Sequence, residues 1–214
     1  STIRNVLKDW DDWLYPWLDS PPQTNEVGRS GPLMAGLMVA VARHNMPVEL
    51  LEIGASAGLN LNLDRFHYQL GGLSVGPDDA AVRVAPDWTG EAPMGLWPDI
   101  IARTGVDQNP LNVGDSDVAE KLLAYCWADQ DERLERLEAA IATARAFPPN
   151  IDRGDAADWI EQKLAIGQGE GVVNQKIKAA LFSFDPLEES LDLIILRMVY
   201  LHSNSVATPA TDLC

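Results

Sequence analysis

The stretch that decides the fold lies at residues 47–60 and reads PVELLEIGASAGLN. Its first seven residues form a short, mainly apolar run that is typical of a buried strand. Gly54 and Gly58 then predict a turn, and residues 61–66 have helical character. A strand, a glycine turn and a helix in this order predict the first unit of an α/β fold.

The glycine turn has the composition of a ligand-binding loop. Glycines after a first strand let a ligand approach the backbone, and the N-terminus of the following helix offers N–H donors. Only two glycines occur, spaced G-x-x-x-G. The G-x-G-x-x-G spacing of dinucleotide binding and the P-loop signature are both absent, which weighs against NAD, FAD and P-loop chemistry. The composition of the turn therefore favours the binding of a nucleotide or nucleoside other than these.

A second chemistry competes for the same turn, because GASAG (54–58) is also a literal G-x-S-x-G nucleophile elbow. Ser56 would be the nucleophile of an acyl hydrolase, and His202 would follow Asp185 or Asp192 in triad order. No HGGG-like oxyanion segment precedes the turn, and the first clear strand is early for an α/β-hydrolase elbow. We therefore predict that Ser56 is not a nucleophile.

The rest of the chain alternates helices with short strands, which favours a mostly parallel sheet with right-handed crossovers. Residues 66–98 are predicted to insert a β-hairpin, formed by 68–70 and 81–84, over one end of the sheet. Asp155 is predicted to cap a helix. The other predicted elements are helices at 97–104, 115–127, 131–147 and 156–165, and strands at 105–107, 150–153, 171–173 and 191–196.

Two segments precede the first strand. Apolar residues over 3–18 recur at helical spacing, which predicts an amphipathic docking helix bent or ended near Pro16. We predict a lead-in helix at 1–22 and a Rossmann-like α/β domain at 23–214, with its insertion at about 66–98.

The second segment is the polar octet QTNEVGRS (23–30), which opens a buried helix that leads directly into the first strand. A helix antiparallel to that strand begins near the strand's carboxyl end, where open α/β sheets bind ligands. Asn25 and Glu26 are therefore predicted to line the substrate pocket. Arg29 is predicted to pair with a ligand carboxylate through a forked, charge-assisted contact.

Composition limits the partners of the protein. The 214 residues include 16 Lys and Arg and 32 Asp and Glu, for a net charge of −16. This balance argues against nucleic acid and anionic membranes, and favours a small acceptor molecule. Two cysteines, no leader and no run of 18 apolar residues predict a cytoplasmic protein without a membrane span. No metal site is predicted, because His44 and His67 lie far apart and no H-E-x-x-H motif occurs.

Three positions resemble the motifs of S-adenosylmethionine-dependent methyltransferases. Glu52 stands two residues before the first glycine, Asp107 ends a candidate strand, and Asp155 follows another. The resemblance implies S-adenosylmethionine as cofactor, with Asp107 on the ribose hydroxyls and Asp155 near the adenine amino group. It leaves the catalytic residues unknown. The implied cofactor-binding residues are Glu52, Gly54, Ala55, Ser56, Gly58, Asn60, Asp107, Gln108, Asp155, Ala156 and Arg29.

An ordered set of segments also resembles an uncharacterised prokaryotic family, domain of unknown function 2332. The segments are TNEVGRS (24–30), LLEIGASAGLNL (50–61), DQNPL (107–111), WADQ (127–130) and DRGDA (152–156). The resemblance covers roughly residues 20–173 and implies a methyltransferase-like fold without an established activity. Three functions stay open: methyl transfer to a small acceptor, acyl hydrolysis, and a degenerate Rossmann domain that serves as an interaction module.

Overall fold

The structure is a computed structural model that describes residues 2–15, 17, 23–165, 177–182 and 197–199. The strands predicted at 171–173 and 191–196 lie outside these ranges, as do Asp185, Asp192 and His202.

The described residues form an α/β fold with a five-stranded, mostly parallel sheet and a separate three-stranded sheet. In the large sheet the strands lie in the order β6-β5-β1-β7-β8, and only β8 is antiparallel to its neighbour. The strands are β1 (Val48–Ile53), β2 (His67–Leu70), β3 (Leu73–Val75), β4 (Arg83–Val84), β5 (Ile100–Asp107), β6 (Ile151–Arg153), β7 (Ile177–Phe182) and β8 (Arg197–Val199). The helices are α1 (Thr2–Asp9), α2 (Asp11–Leu14), α3 (Ser30–His44), α4 (Ser116–Ala124), α5 (Asp131–Ala146) and α6 (Ala156–Ala165).

Strand β1 is the central strand of the large sheet and lies in the stretch that was predicted to be a buried strand. It pairs in parallel with β5 on one side and with β7 on the other. Val48, Leu50 and Leu51 are almost completely buried. A strand covered on both faces and paired along both edges needs a near-continuous apolar run, and this explains the composition of the stretch.

The element after the glycine turn differs from the prediction. Residues Leu59–Arg65 form 3₁₀ turns with a kink at Asn62, not an α-helix. Leu59, Leu61 and Leu63 are all fully buried. Apolar residues at every second position cannot share one face of an α-helix, so burying all three requires a tighter and irregular path.

The insertion contains the predicted hairpin, but with a different second strand. Strand β2 pairs antiparallel with β3, whereas β4, in the stretch predicted to close the hairpin, pairs in parallel with β2. Gly71 and Gly72 both have positive φ, at 56° and 89°. Two adjacent residues with positive φ suit a two-residue hairpin turn, so the chain reverses at once and pairs with β3.

The helix predicted at 97–104 is wrong, because residues from Ile100 onward belong to β5. That strand pairs with β1 from Val48 opposite Ile100 to Ile53 opposite Val106. Pairing along a central strand overrides a weak local preference for helix.

The lead-in residues form two short helices, α1 and α2, that leave their apolar side chains in solvent. Neither helix has a buried residue. Trp17, just beyond α2, packs against Tyr125 beyond the end of α4, with ring centroids 6.1 Å apart. The described helices include none long and apolar enough to cross a membrane.

Candidate functional site

A cavity of about 770 Å³ opens at the carboxyl ends of β1, β5 and β6. Three successive parallel strands deliver their following turns to this edge of the sheet, which is where open α/β sheets bind ligands. The strand ends and turns contribute Ile53, Gly54, Val106, Asp107, Gln108, Asn109, Leu111, Gly154, Asp155 and Ala156. The remaining lining residues are Gln23, Val118, Lys121, Leu122 and Tyr125.

The glycine turn contributes Gly54 to the lining of this cavity, and three of its residues have a left-handed conformation. Gly54, Ser56 and Gly58 have φ values of 67°, 52° and 65°. The Ala55 N–H donates to the carbonyl of Val106 at 3.0 Å, so the turn is attached to the end of β5. Since Ser56 is not glycine, its positive φ costs free energy that the surrounding contacts must offset.

Asp107 supplies the contact that holds Ser56 in this conformation. One carboxylate oxygen accepts the Ser56 N–H at 2.8 Å, and the other accepts the Asn109 N–H at 2.7 Å. The second oxygen also accepts from Nε2 of Gln23 at 3.3 Å. A carboxylate has about four acceptor positions, so Asp107 keeps acceptor capacity towards the cavity that it lines.

The turn after β6 also contributes to the lining of the cavity. The Gly154 N–H donates to the Asp107 carbonyl at 3.1 Å, which joins the two turns. Asp155 caps α6 as predicted, accepting from the Ala157 N–H at 2.8 Å. A Cβ built on Gly154 meets only one described atom within 4 Å, Cγ2 of Val106 at 3.8 Å. As far as the described residues are concerned, the space above Gly154 is therefore open.

Helix α4 and the residue after it supply an apolar wall that the sequence analysis missed. Val118, Leu122 and Tyr125 recur at helical spacing and line the cavity with Lys121. The same spacing also describes a core-facing stripe, so periodicity alone did not separate the two roles. The ammonium group of Lys121 lies 5.7 Å from the ring centroid of Trp17.

Glu52 is buried beneath the turn, with 1% of its surface exposed. The pKa of its carboxyl group is raised to about 8, chiefly because of burial and also because of the nearby charge of Asp107. The hydrogen bond to Asn60 and the charge of Arg29 act in the opposite direction and lower it. A carboxyl group with this pKa is mainly protonated at neutral pH. Within the described part of the chain, Oε2 of Glu52 and Oδ1 of Asn60 have no hydrogen-bond partner.

The octet reaches the glycine turn but serves in packing there. Nδ2 of Asn25 donates to the Ala55 carbonyl at 2.9 Å. The Glu26 carboxylate caps the 3₁₀ turn at Val27–Arg29 and pairs with Nε of Arg133 at 2.6 Å and Nη2 of Arg136 at 3.5 Å. The face of α5 that carries these arginines therefore holds the octet in place.

The structure brings five of the implied cofactor-binding residues together in the cavity lining: Gly54, Asp107, Gln108, Asp155 and Ala156. The lining does not include Glu52, Ala55, Ser56, Gly58, Asn60 or Arg29. Asn25 and Glu26, predicted for the substrate pocket, line a separate cavity of about 10 Å³. A Cβ on Gly58 would lie 2.9 Å from side-chain atoms of Pro149 and Ile151, so this glycine permits close packing.

Ser56 and two of the three histidines of the chain lie within the described residues, whereas His202, Asp185 and Asp192 of the hydrolase hypothesis lie outside them. Oγ of Ser56 is buried and has no hydrogen-bond partner among the residues that the structure describes. The ring of His67 contacts Oγ of Ser74 and the carbonyl of Pro77 in the insertion, and His44 lies in the last turn of α3. The described part of the chain contains no group of three or more His, Cys, Asp or Glu residues that could hold a metal ion.

Comparison with known proteins gives one match. Residues 1–175 match DUF2332, described as an uncharacterized protein conserved in bacteria. No curated protein and no solved structure matches the chain. The family likeness expected from the sequence is therefore confirmed, and the match covers most of the chain.

Proposed function

The chain belongs to the bacterial family DUF2332, and we propose that it binds S-adenosylmethionine in the 770 Å³ cavity and transfers the methyl group to a small acceptor. The observation that carries the proposal is the convergence of three sequence motifs on one cavity. Gly54 and Asp155 follow two of the parallel strands, Asp107 is the last residue of a third, and all three line the same space.

The strand order supports the interpretation of the fold as Rossmann-like. Among the parallel strands, β1 leads to β5 and β6 on one side, and the chain then crosses to β7 on the other side. Such a reversal beside the first strand is the topological switch point at which doubly wound folds bind nucleotides. The cavity includes the end of β1.

The residues present fit the parts of the cofactor. Asp107 has acceptor capacity for ribose hydroxyls, and the open space above Gly154 suits a flat ring beside Asp155 and Ala156. Gly54 lets the methionyl part approach the backbone. Glu52 does not line the cavity, so its part in the proposal is to support the turn from below.

The chain's own contribution to catalysis is to position the reactants. When bound, S-adenosylmethionine supplies an activated methyl group. The protein then holds the acceptor in line with the bond to be broken and excludes water, and such positioning lowers a barrier without a protein nucleophile. The apolar wall of Val118, Leu122 and Tyr125 faces the space left for the acceptor. The net charge of −16 favours a neutral or cationic small acceptor.

Ligand binding tests the proposal directly. S-adenosylmethionine and S-adenosylhomocysteine at about 100 times their dissociation constant should stabilise the native state by about 2.7 kcal/mol, and so raise the melting temperature by several degrees. Gly154→Val places a larger side chain in the open part of the cavity and should remove this effect. Ala157→Val, on the exposed face of α6, is the matched control. Binding to neither compound, or equal binding by Gly154→Val, contradicts the proposal.

One observation favours acyl hydrolysis as the second candidate. Ser56 has the positive φ, 52°, that a nucleophile elbow requires. Its hydroxyl is buried, so this function needs the turn to open before Ser56 can react. A fluorophosphonate probe distinguishes the two functions. Stoichiometric labelling that is lost in Ser56→Ala supports the hydrolase, and an unlabelled protein supports the methyltransferase proposal.

A further inference from the structure

Gln23 is the first residue of the polar octet and lines the 770 Å³ cavity, whereas Asn25 and Glu26 do not. Nε2 of its side-chain amide donates to Oδ1 of Asp107 at 3.3 Å and to the backbone carbonyl of Asn109 at 3.1 Å. The side chain therefore joins the octet to the end of β5 at the cavity wall. The three sequence motifs that carry the proposed function do not include this residue.

The two partners of Gln23 determine the orientation of its amide. A carboxylate oxygen and a backbone carbonyl oxygen are both hydrogen-bond acceptors, so the NH₂ group of Gln23, and not its oxygen, must face them. The two hydrogens of that group suffice for the two contacts. The oxygen Oε1 therefore lies on the other side of the amide, and these two contacts leave its acceptor capacity unused.

Asp107 offers a second hydrogen-bond acceptor beside Gln23. Its carboxylate accepts from the backbone N–H groups of Ser56 and Asn109 and from Nε2 of Gln23. These three bonds use three of the roughly four acceptor positions of a carboxylate. Because Nε2 and Oε1 of Gln23 belong to one amide group, Oε1 lies within a few ångströms of the Asp107 carboxylate. The cavity wall at the end of β5 therefore presents two neighbouring acceptors.

Two neighbouring acceptors are complementary to two neighbouring donors on one ligand. A ribose has such a pair, because its 2′ and 3′ hydroxyl groups are on adjacent carbons and each can donate one hydrogen bond. In doubly wound folds an acidic side chain contacts a ribose hydroxyl in the same way. A phosphate ester at either position would instead bring negatively charged acceptor oxygens against Gln23 Oε1 and the Asp107 carboxylate.

Given the function proposed above, on which this assignment rests, we propose that Gln23 determines the specificity of the cavity for a ribose with both hydroxyl groups free. Oε1 of Gln23 accepts a hydrogen bond from one hydroxyl group, and the Asp107 carboxylate accepts from the other. A ligand that lacks one of the two hydroxyl groups leaves the corresponding acceptor without a donor, which costs binding free energy.

Gln108 is the other glutamine in the cavity lining. It is exposed, whereas Gln23 is half-buried. An exposed glutamine side chain loses rotamer freedom when a ligand orders it, and this loss weakens binding. The amide of Gln23 is already held by two hydrogen bonds before a ligand binds. Gln23 is therefore the better preorganised of the two.

Isothermal titration calorimetry with S-adenosylhomocysteine and with its 2′-deoxy and 3′-deoxy analogues tests the assignment. The wild type should bind the parent compound at least about tenfold more tightly than either analogue, because a site built to bond a hydroxyl group rejects a ligand without it. In Gln23→Ala the preference over one analogue should fall to about twofold or less, while the preference over the other, which depends on Asp107, should persist. A merely structural role of Gln23 would weaken all three ligands alike.

Gln69→Ala, at an exposed position of β2, is the matched control and should bind the three ligands as the wild type does. If the wild type binds S-adenosylhomocysteine and Gln23→Ala keeps both preferences, or weakens all three ligands equally, the role of Gln23 is refuted and the proposed function stands. Loss of a preference in Gln108→Ala but not in Gln23→Ala also overturns the assignment. A wild type that binds none of the three ligands contradicts both the assignment and the proposed function.

Discussion

Glu52→Gln tests the state of the most deeply buried carboxyl group near the site. The side chain is 1% exposed, and its pKa rises from an ordinary 4.5 to about 8. At about 1.4 kcal/mol per pKa unit, this shift in pKa corresponds to a change of at most about 5 kcal/mol in the free energy of unfolding. The substitution keeps the size of the side chain and removes the proton that Glu52 gains and loses.

The direction of the pH effect follows from proton binding. Between pH 4.5 and 8 the folded protein keeps a proton on Glu52 that the unfolded chain has released. The group's contribution to stability is therefore complete below about 4.5 and is lost as the pH rises to about 8. Glutamine has no such proton. The free energy of unfolding of Glu52→Gln, relative to the wild type, should increase steadily across this window.

Urea unfolding followed by tryptophan fluorescence, at intervals from pH 5 to pH 9, measures this difference. Glu138→Gln, on the exposed face of α5, makes the same substitution at the surface and controls for the loss of one carboxyl group from the chain. The difference between Glu52→Gln and the wild type should grow by several kcal/mol, and Glu138→Gln should show almost no trend. A difference that is constant or that shrinks with rising pH would show that Glu52 is ionised in the folded protein.

Three further substitutions test the contacts around the turn. Asp107→Ala removes the acceptor of the Ser56 N–H and should cost about 1–3 kcal/mol in the free energy of unfolding; thermal unfolding that matches the wild type would contradict the role of Asp107 in holding the turn. Gly58→Ala should lower the free energy of unfolding by about 1–3 kcal/mol, because φ is 65° and the new methyl group would approach Pro149 and Ile151. Thermal unfolding measures this loss as well. Glu26→Gln should cost about 1 kcal/mol, since its pair with an α5 arginine is half-buried, and this loss should decrease in high salt.

The part of the fold that the sequence predicted well is the part set by local pattern. The strand at 48–53 and its glycine turn were predicted because burial on both faces requires a short apolar run. The cap at Asp155 was predicted because it follows from local hydrogen bonding. In contrast, Ile100 is in a strand only because β1 offers a partner edge, and this partner is about fifty residues away in the sequence.

The candidate site likewise contains residues that the sequence could predict and residues that it could not. Turns after parallel strands meet at one edge, so Gly54, Asp107 and Asp155 could be expected together from their order alone. The apolar wall that includes Tyr125 could not be predicted, because the spacing of apolar residues on a helix does not reveal whether they face a core or a cavity. The position of Glu26 depends on Arg136, which is 110 residues away, and no local pattern connects the two.

The central position of β1 has a consequence for how the chain folds during synthesis. One neighbour, β5, emerges from the ribosome some fifty residues after β1, but the other, β7, emerges more than a hundred residues after it. At 5–20 residues per second, the β7 side of β1 has no partner for roughly 6–25 s. During that interval an apolar strand edge is open to pairing with other nascent chains. Slower translation before residue 177 would lengthen this exposure and should raise the aggregated fraction without changing the folded protein.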